Sequence, residues 1–124
     1  MENEVKLNEQ QIRAEIETKI KQINEAQESL ESLRKENNLL LDKLADIMRC
    51  KYSQFLEQAV RVTGKDGFGR ICENEGFLKG FKKCGMRKVI PVLMKIKKDG
   101  TPSKIEIPDW QVAYIDEMFS IQLI

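Results

Sequence analysis

The first 63 residues contain neither glycine nor proline, and within them isoleucine and leucine recur at steps of three and four: Ile16, Ile20, Ile23, Leu30, Leu33, Leu40, Leu44 and Ile47. That spacing puts a narrow apolar seam along one side of a long helix. A seam two positions wide cannot bury itself, so it calls for a partner helix. Association, rather than chemistry, is therefore the first property this chain implies.

Asn8 has the character of an N-cap, with Gln11 three residues on as a capping box requires and Leu7 and Ile12 spaced as a hydrophobic staple. One register runs through Ile16, Ile20, Ile23, Gln27 and Leu30, and a second through Leu30, Leu33, Asn37, Leu40, Leu44 and Ile47. Leu30 changes role between them, a three-residue phase shift that would overwind a coiled coil locally. One continuous helix of about 45–50 residues, roughly 70 Å long, pairing in parallel with a second chain, is one arrangement. A fold-back near Arg34–Asn38 is the other, and the lack of Gly or Pro there argues against it. Asn37 at a seam position would meet its symmetry mate and fix an in-register dimer; otherwise it marks a local break or a surface position. The helix is expected to run on through Tyr52, Phe55, Leu56, Ala59 and Val60, where a widened apolar face suits packing on a globular domain. Residues 8–61 thus read as a coiled-coil dimerisation helix and 62–124 as a small basic α+β domain.

Gly64, Gly67 and Gly69 interrupt the helical pattern and read as a loop. Residues 71–86 read as a short amphipathic helix or an irregular segment, weakened by Gly76, Gly80 and Gly85. Residues 88–107 read as a β-hairpin turning at Lys98-Asp99-Gly100. Asp109 is placed to N-cap a C-terminal helix whose inner face is Trp110, Ala113, Tyr114 and Met118. Ser120 to Ile124 are apolar and β-prone, fit for a third strand or a helical extension. The expected fold class is α+β: a long N-terminal coiled-coil helix, then a small domain with a β-hairpin and a C-terminal helix.

The chain has no histidine, which removes the commonest general base and metal ligand and rules out Ser–His and Cys–His pairs. Cys50, Cys72 and Cys84 form no C-x-x-C pair, so a zinc site is unsupported. Asp66, Glu73 and Glu75 are close in sequence but suit solvated acids beside lysines better than a metal site. Gly64-x-x-Gly67-x-Gly69-Arg70 lacks the G-K-[ST] ending of a phosphate loop, though its backbone N–H groups with Lys65 and Arg70 have the makings of an anion cradle. No catalytic residue, metal or cofactor is expected, and an enzyme is the least favoured class.

The net charge of +1 hides a strong asymmetry. Residues 1–50 carry 8 basic and 11 acidic groups, 61–98 carry 11 and 3, and 99–124 carry 1 and 5. Lys65, Arg70, Lys79, Lys82, Lys83, Arg87 and Lys88 are the candidate partner-binding residues, with Phe68, Phe77 and Phe81 between them either stacking on bases or forming the core. The leading reading is a non-enzymatic adaptor or inhibitor that self-associates through its helix and presents a basic domain to an acidic protein surface. Such a design suits a phage or mobile-element regulator. A DNA- or RNA-binding protein using 61–98 and an assembly protein working through the helix are the alternatives. The polar start MENEVKLNEQ is unlike a secretory signal and no apolar run reaches membrane-spanning length, so a cytoplasmic protein with no membrane contact is expected.

Overall fold

A computed structural model describes the backbone of residues 2–124 and the side chains of residues 8–124. Helix α1 spans Glu2–Lys51, followed by a 3-10 turn at Ser53–Phe55. Then come β1 (Ala59–Lys65), β2 (Ile71–Cys84), β3 (Lys88–Ile96), β4 (Pro102–Glu106), a 3-10 turn at Asp109–Gln111, and β5 (Ser120–Leu123). The strands form one antiparallel sheet in the order β4-β3-β2-β1-β5. The chain divides into two compact units, Met1–Glu36 and Asn37–Ile124.

The first unit is helix alone. The helix is continuous through Glu36-Asn37-Asn38, with no hairpin. It is already under way at Asn8, so the expected capping box is not a helix start; the staple contact of Leu7 lies outside the described side chains.

In the second unit, Leu41, Ala45 and Met48 recur at helical spacing and are buried in one core with Val60, Val62, Leu78, Phe81, Val89 and Leu93. Leu44 and Tyr52 pack against the same cluster, and the Tyr52 ring lies 5.9 Å from that of Phe81 and 5.8 Å from that of Phe119. Those aromatic contacts explain why the helix stops at Lys51 rather than near residue 61. Residues 52–56 turn inward as a plug, and Glu57 takes a left-handed conformation (φ 61°), which costs a non-glycine residue about 1–2 kcal/mol. Its backbone N–H bonds the Leu78 carbonyl at 2.8 Å and its carboxylate takes Lys79 Nζ at 2.7 Å, which offset that strain. The residues expected to finish the helix, Ala59 and Val60, instead begin β1, where Val60, Val62 and Gly64 face inward in alternation.

Residues 71–84 are neither helical nor irregular. They form the longest strand, β2, which pairs with β1 through its first half and with β3 through its second. Between the halves the register slips at Leu78/Gly80, and such a bulge bends a strand. Of the glycines that weakened a helical reading of this segment, Gly76 is required by packing. A Cβ at Gly76 would lie 2.8 Å from the Met94 carbonyl oxygen.

The expected C-terminal helix is absent. After the single turn at Asp109–Gln111 the backbone becomes extended at Val112. The N–H of Tyr114 bonds Lys65 O at 3.0 Å and that of Ile115 bonds Val89 O at 2.9 Å, so consecutive residues tie β1 to β3 in place of helical i→i−4 bonds. Val112 and Ala113 are both buried, and Ala113 Cβ sits 3.1 Å from where a Cβ on Gly64 would be. Tertiary packing here overrides the helical propensity. Residues 88–106 do form the β3–β4 hairpin, and Ser120–Leu123 pairs with β1.

Candidate functional site

Two surfaces stand out, one in each unit. On the first unit Ile12, Ile16, Ile20, Ile23, Leu30 and Leu33 are each 47–62% exposed, an apolar line left uncovered among the described residues. Beyond residue 36 the expected seam divides. Leu40 and Ile47 stay exposed, whereas Leu44 is half-buried against the core. Asn37 donates from Nδ2 to the Met86 carbonyl at 2.5 Å, so within this chain it ties the helix to the β2–β3 turn.

The second surface is a groove of about 290 Å³ where the β1–β2 turn, the paired ends of β2 and β3 at Cys84 and Lys88, and the Asp109–Gln111 turn converge. Its walls include Phe68, Cys84, Lys88, Ile90, Trp110 and Tyr114. Both ends of β2 contribute to this one cavity, Phe68 just ahead of the strand and Cys84 as its last residue. Phe68 is 68% and Trp110 60% exposed. The Arg70 guanidinium lies 5.0 Å from the centre of the Phe68 ring and the Lys88 ammonium 3.8 Å from that of Tyr114.

The β1–β2 turn is held from within by Asp66. Its Oδ1 accepts the backbone N–H of Phe68 at 2.8 Å and of Arg70 at 3.0 Å. Burial works against the ionised carboxyl, but these hydrogen bonds and the charges of Arg70 and Lys88 outweigh it and hold Asp66 below its ordinary range. The N–H groups that the sequence offered to an external anion are thus occupied by the protein's own carboxylate.

The candidate basic residues separate into two groups. Lys79 pairs with Glu57, Lys82 with Glu106 at 2.7 Å and Asp109 at 3.0 Å, and Lys83 with Asp42 at 3.3 Å. The hydrogen bond to Glu106 is the main reason the Lys82 ammonium is held above its usual value. Arg70 reaches Asp66 at 3.6 Å. Among the described residues, Lys65, Arg87 and Lys88 have no carboxylate within ion-pair distance. Acids from α1, the turn that follows it and the C-terminal segment thus engage Lys83, Lys79 and Lys82, and leave Lys88 unpaired in the groove wall.

Of the three phenylalanines in that stretch, Phe81 belongs to the core, Phe77 is half-buried, and Phe68 alone is broadly exposed. Trp110 and Tyr114 were expected on the inner face of a helix and instead frame the groove. Their separation from Phe68 in sequence left no local signal of this. Glu73 and Glu75 both reach Arg61, at 2.7 Å each. Among the described residues there is no cluster of metal-ligating side chains, and no helix is long and apolar enough to cross a membrane. Compared with protein-family models, curated proteins and solved structures, the chain matches none.

Proposed function

We propose that this is a non-enzymatic interaction protein that self-associates through its N-terminal helix and engages a macromolecular partner with the groove face of its sheet domain. The observation that carries the reading is the line Ile12, Ile16, Ile20, Ile23, Leu30, Leu33, exposed along a helix whose own unit offers nothing to cover it. Exposed apolar residues at coiled-coil spacing are stabilised by a second helix. The partner-facing role falls to the groove rim, because Lys79, Lys82 and Lys83 are engaged in ion pairs within the chain. Three free cysteines accord with a reducing cytoplasm. Sedimentation equilibrium over a wide concentration range tests the reading. A mass above the 14.4 kDa of one chain, falling on dilution, supports it, and a monomer at every concentration overturns it.

A further inference from the structure

We infer that the groove between Phe68 and Trp110 docks single-stranded nucleic acid, with bases stacking on those rings and phosphates passing Lys88 in the groove wall and Arg70 beside the Phe68 ring. The inference rests on the reading that the sheet domain, rather than the helix, engages the partner. Three observations point to this ligand over a peptide.

The apolar part of the groove is made of flat rings standing in solvent, Phe68 and Trp110, with Tyr114 between them and the sheet. A planar base buries a ring face without needing a shaped aliphatic pocket, and such stacking tolerates any sequence. At about 290 Å³ the groove is at the low end for ligand clefts. It suits a short stretch of strand with the remainder running over the surface.

The charge at the rim is the right sign and is available. Lys88 in the groove wall has no carboxylate partner among the described residues, and Arg70 beside the Phe68 ring is 70% exposed and reaches Asp66 only at 3.6 Å, while the two nearby acids are occupied. Asp66 is turned onto the backbone of its own turn and Asp109 onto Lys82. A phosphate at the rim therefore meets cations without facing an unpaired carboxylate. An acidic peptide would satisfy the cations but leave the rings uncovered; a proline-rich peptide would cover the rings but leave the cations idle.

Trp110 is the sole tryptophan of the chain, so its fluorescence reports on the groove directly. The test titrates the full chain with an oligothymidylate dodecamer. It reads Trp110 emission and, in parallel, anisotropy of a labelled dodecamer across a salt series. Saturable quenching is expected, with a log–log salt slope of about −1.4, from about −0.7 for each of two neutralised phosphates. Phe68→Ala and Trp110→Ala, both at exposed positions, should each weaken binding about tenfold, with circular dichroism verifying the fold. Lys88→Ala should weaken binding and flatten the salt slope, whereas Lys97→Ala or Lys104→Ala, each removing the same charge from the β3–β4 hairpin, should change little. Absence of quenching, an equal loss from the hairpin lysines, or quenching only by polyproline or polyglutamate overturns the inference. A chain carrying Ile20→Asp and Ile23→Asp should bind the dodecamer at each groove as the parent does. If it loses binding while the groove variants retain it, the helix is the partner surface and the reading beneath the inference fails instead.

Discussion

Arg49, in the last turn of α1, donates from Nη2 to the Phe81 carbonyl at 3.2 Å, while its Nη1 holds Asp46 at 2.8 Å. One guanidinium thus fastens the helix end to β2 just beyond its bulge, beside Gly80. The site is half-exposed, so Arg49→Ala should destabilise the sheet domain by about 1 kcal/mol in urea unfolding. Arg49→Lys should not restore it, since a single ammonium does not reproduce the planar fork. Full stability in the alanine variant would show that the latch is incidental.

Gly76 and Gly67 offer a matched pair. A methyl at Gly76 meets the Met94 carbonyl oxygen at 2.8 Å and Leu93 Cβ at 3.1 Å, whereas nothing lies within 4 Å of one at Gly67. Gly76→Ala should cost about 1–3 kcal/mol through strain in a packed sheet, and Gly67→Ala should stay within about 0.5 kcal/mol of the parent. Thermal melts of the two variants check the contrast; equal values would mean that β2 shifts freely to make room.

Two leucine-type positions that look alike in the heptad pattern should respond in opposite ways. Leu44 packs against the core, so Leu44→Asp should destabilise the sheet domain by about 2–4 kcal/mol. Ile20 and Ile23 are 51% and 54% exposed, so Ile20→Asp with Ile23→Asp should leave the near-ultraviolet spectrum of the domain intact. In sedimentation the same double variant should be monomeric. A double variant that still associates would place the self-contact elsewhere.

Asp66 makes the stability of the domain sensitive to acid. Its folded value is held below the ordinary 3.8, first against the penalty of burial and then by the N–H groups of Arg70 and Phe68. A carboxyl depressed in the folded state contributes stability that is fully present above 3.8 and fades as pH falls through the folded value. The parent should therefore melt above Asp66→Asn at neutral pH, and the gap should close below 3.8. A gap that stayed constant into acid would assign the effect to shape rather than charge.

Much of the framework was legible because its signals are local. A long run free of Gly and Pro, with Ile and Leu at steps of three and four, marks α1. The β3–β4 hairpin is marked by its turn, where Asp99 Oδ1 accepts Thr101 N–H at 3.0 Å and Gly100 takes φ 85°. The errors fell where long-range contacts overrule local preference. Nothing near Tyr52 breaks a helix by itself; the break comes from Phe81 and Phe119 drawing in the tyrosine and from Leu78 bonding Glu57. A local clue to β1 did exist, the alternation Val60-Arg61-Val62-Thr63, but it was masked by helix-compatible neighbours. The groove was half legible: Phe68, Arg70 and Lys88 are conspicuous in the basic stretch, whereas Trp110 joins them only through a turn far along the chain.

The pairing of β1 also sets a timetable. One side of β1 is satisfied by residues 71–77, the other by residues 120–123. During synthesis at about 5–20 residues per second, that second edge stays open for several seconds after α1 is complete. Under the proposed self-association, a helix already emerged would meet its counterpart on a neighbouring ribosome in that interval. Where it does, two identical open β1 edges are tethered at high effective concentration, and either can accept either copy's β5. Strand exchange between sister chains is then the characteristic misassembly of this architecture, and its frequency should rise with the density of ribosomes on the message.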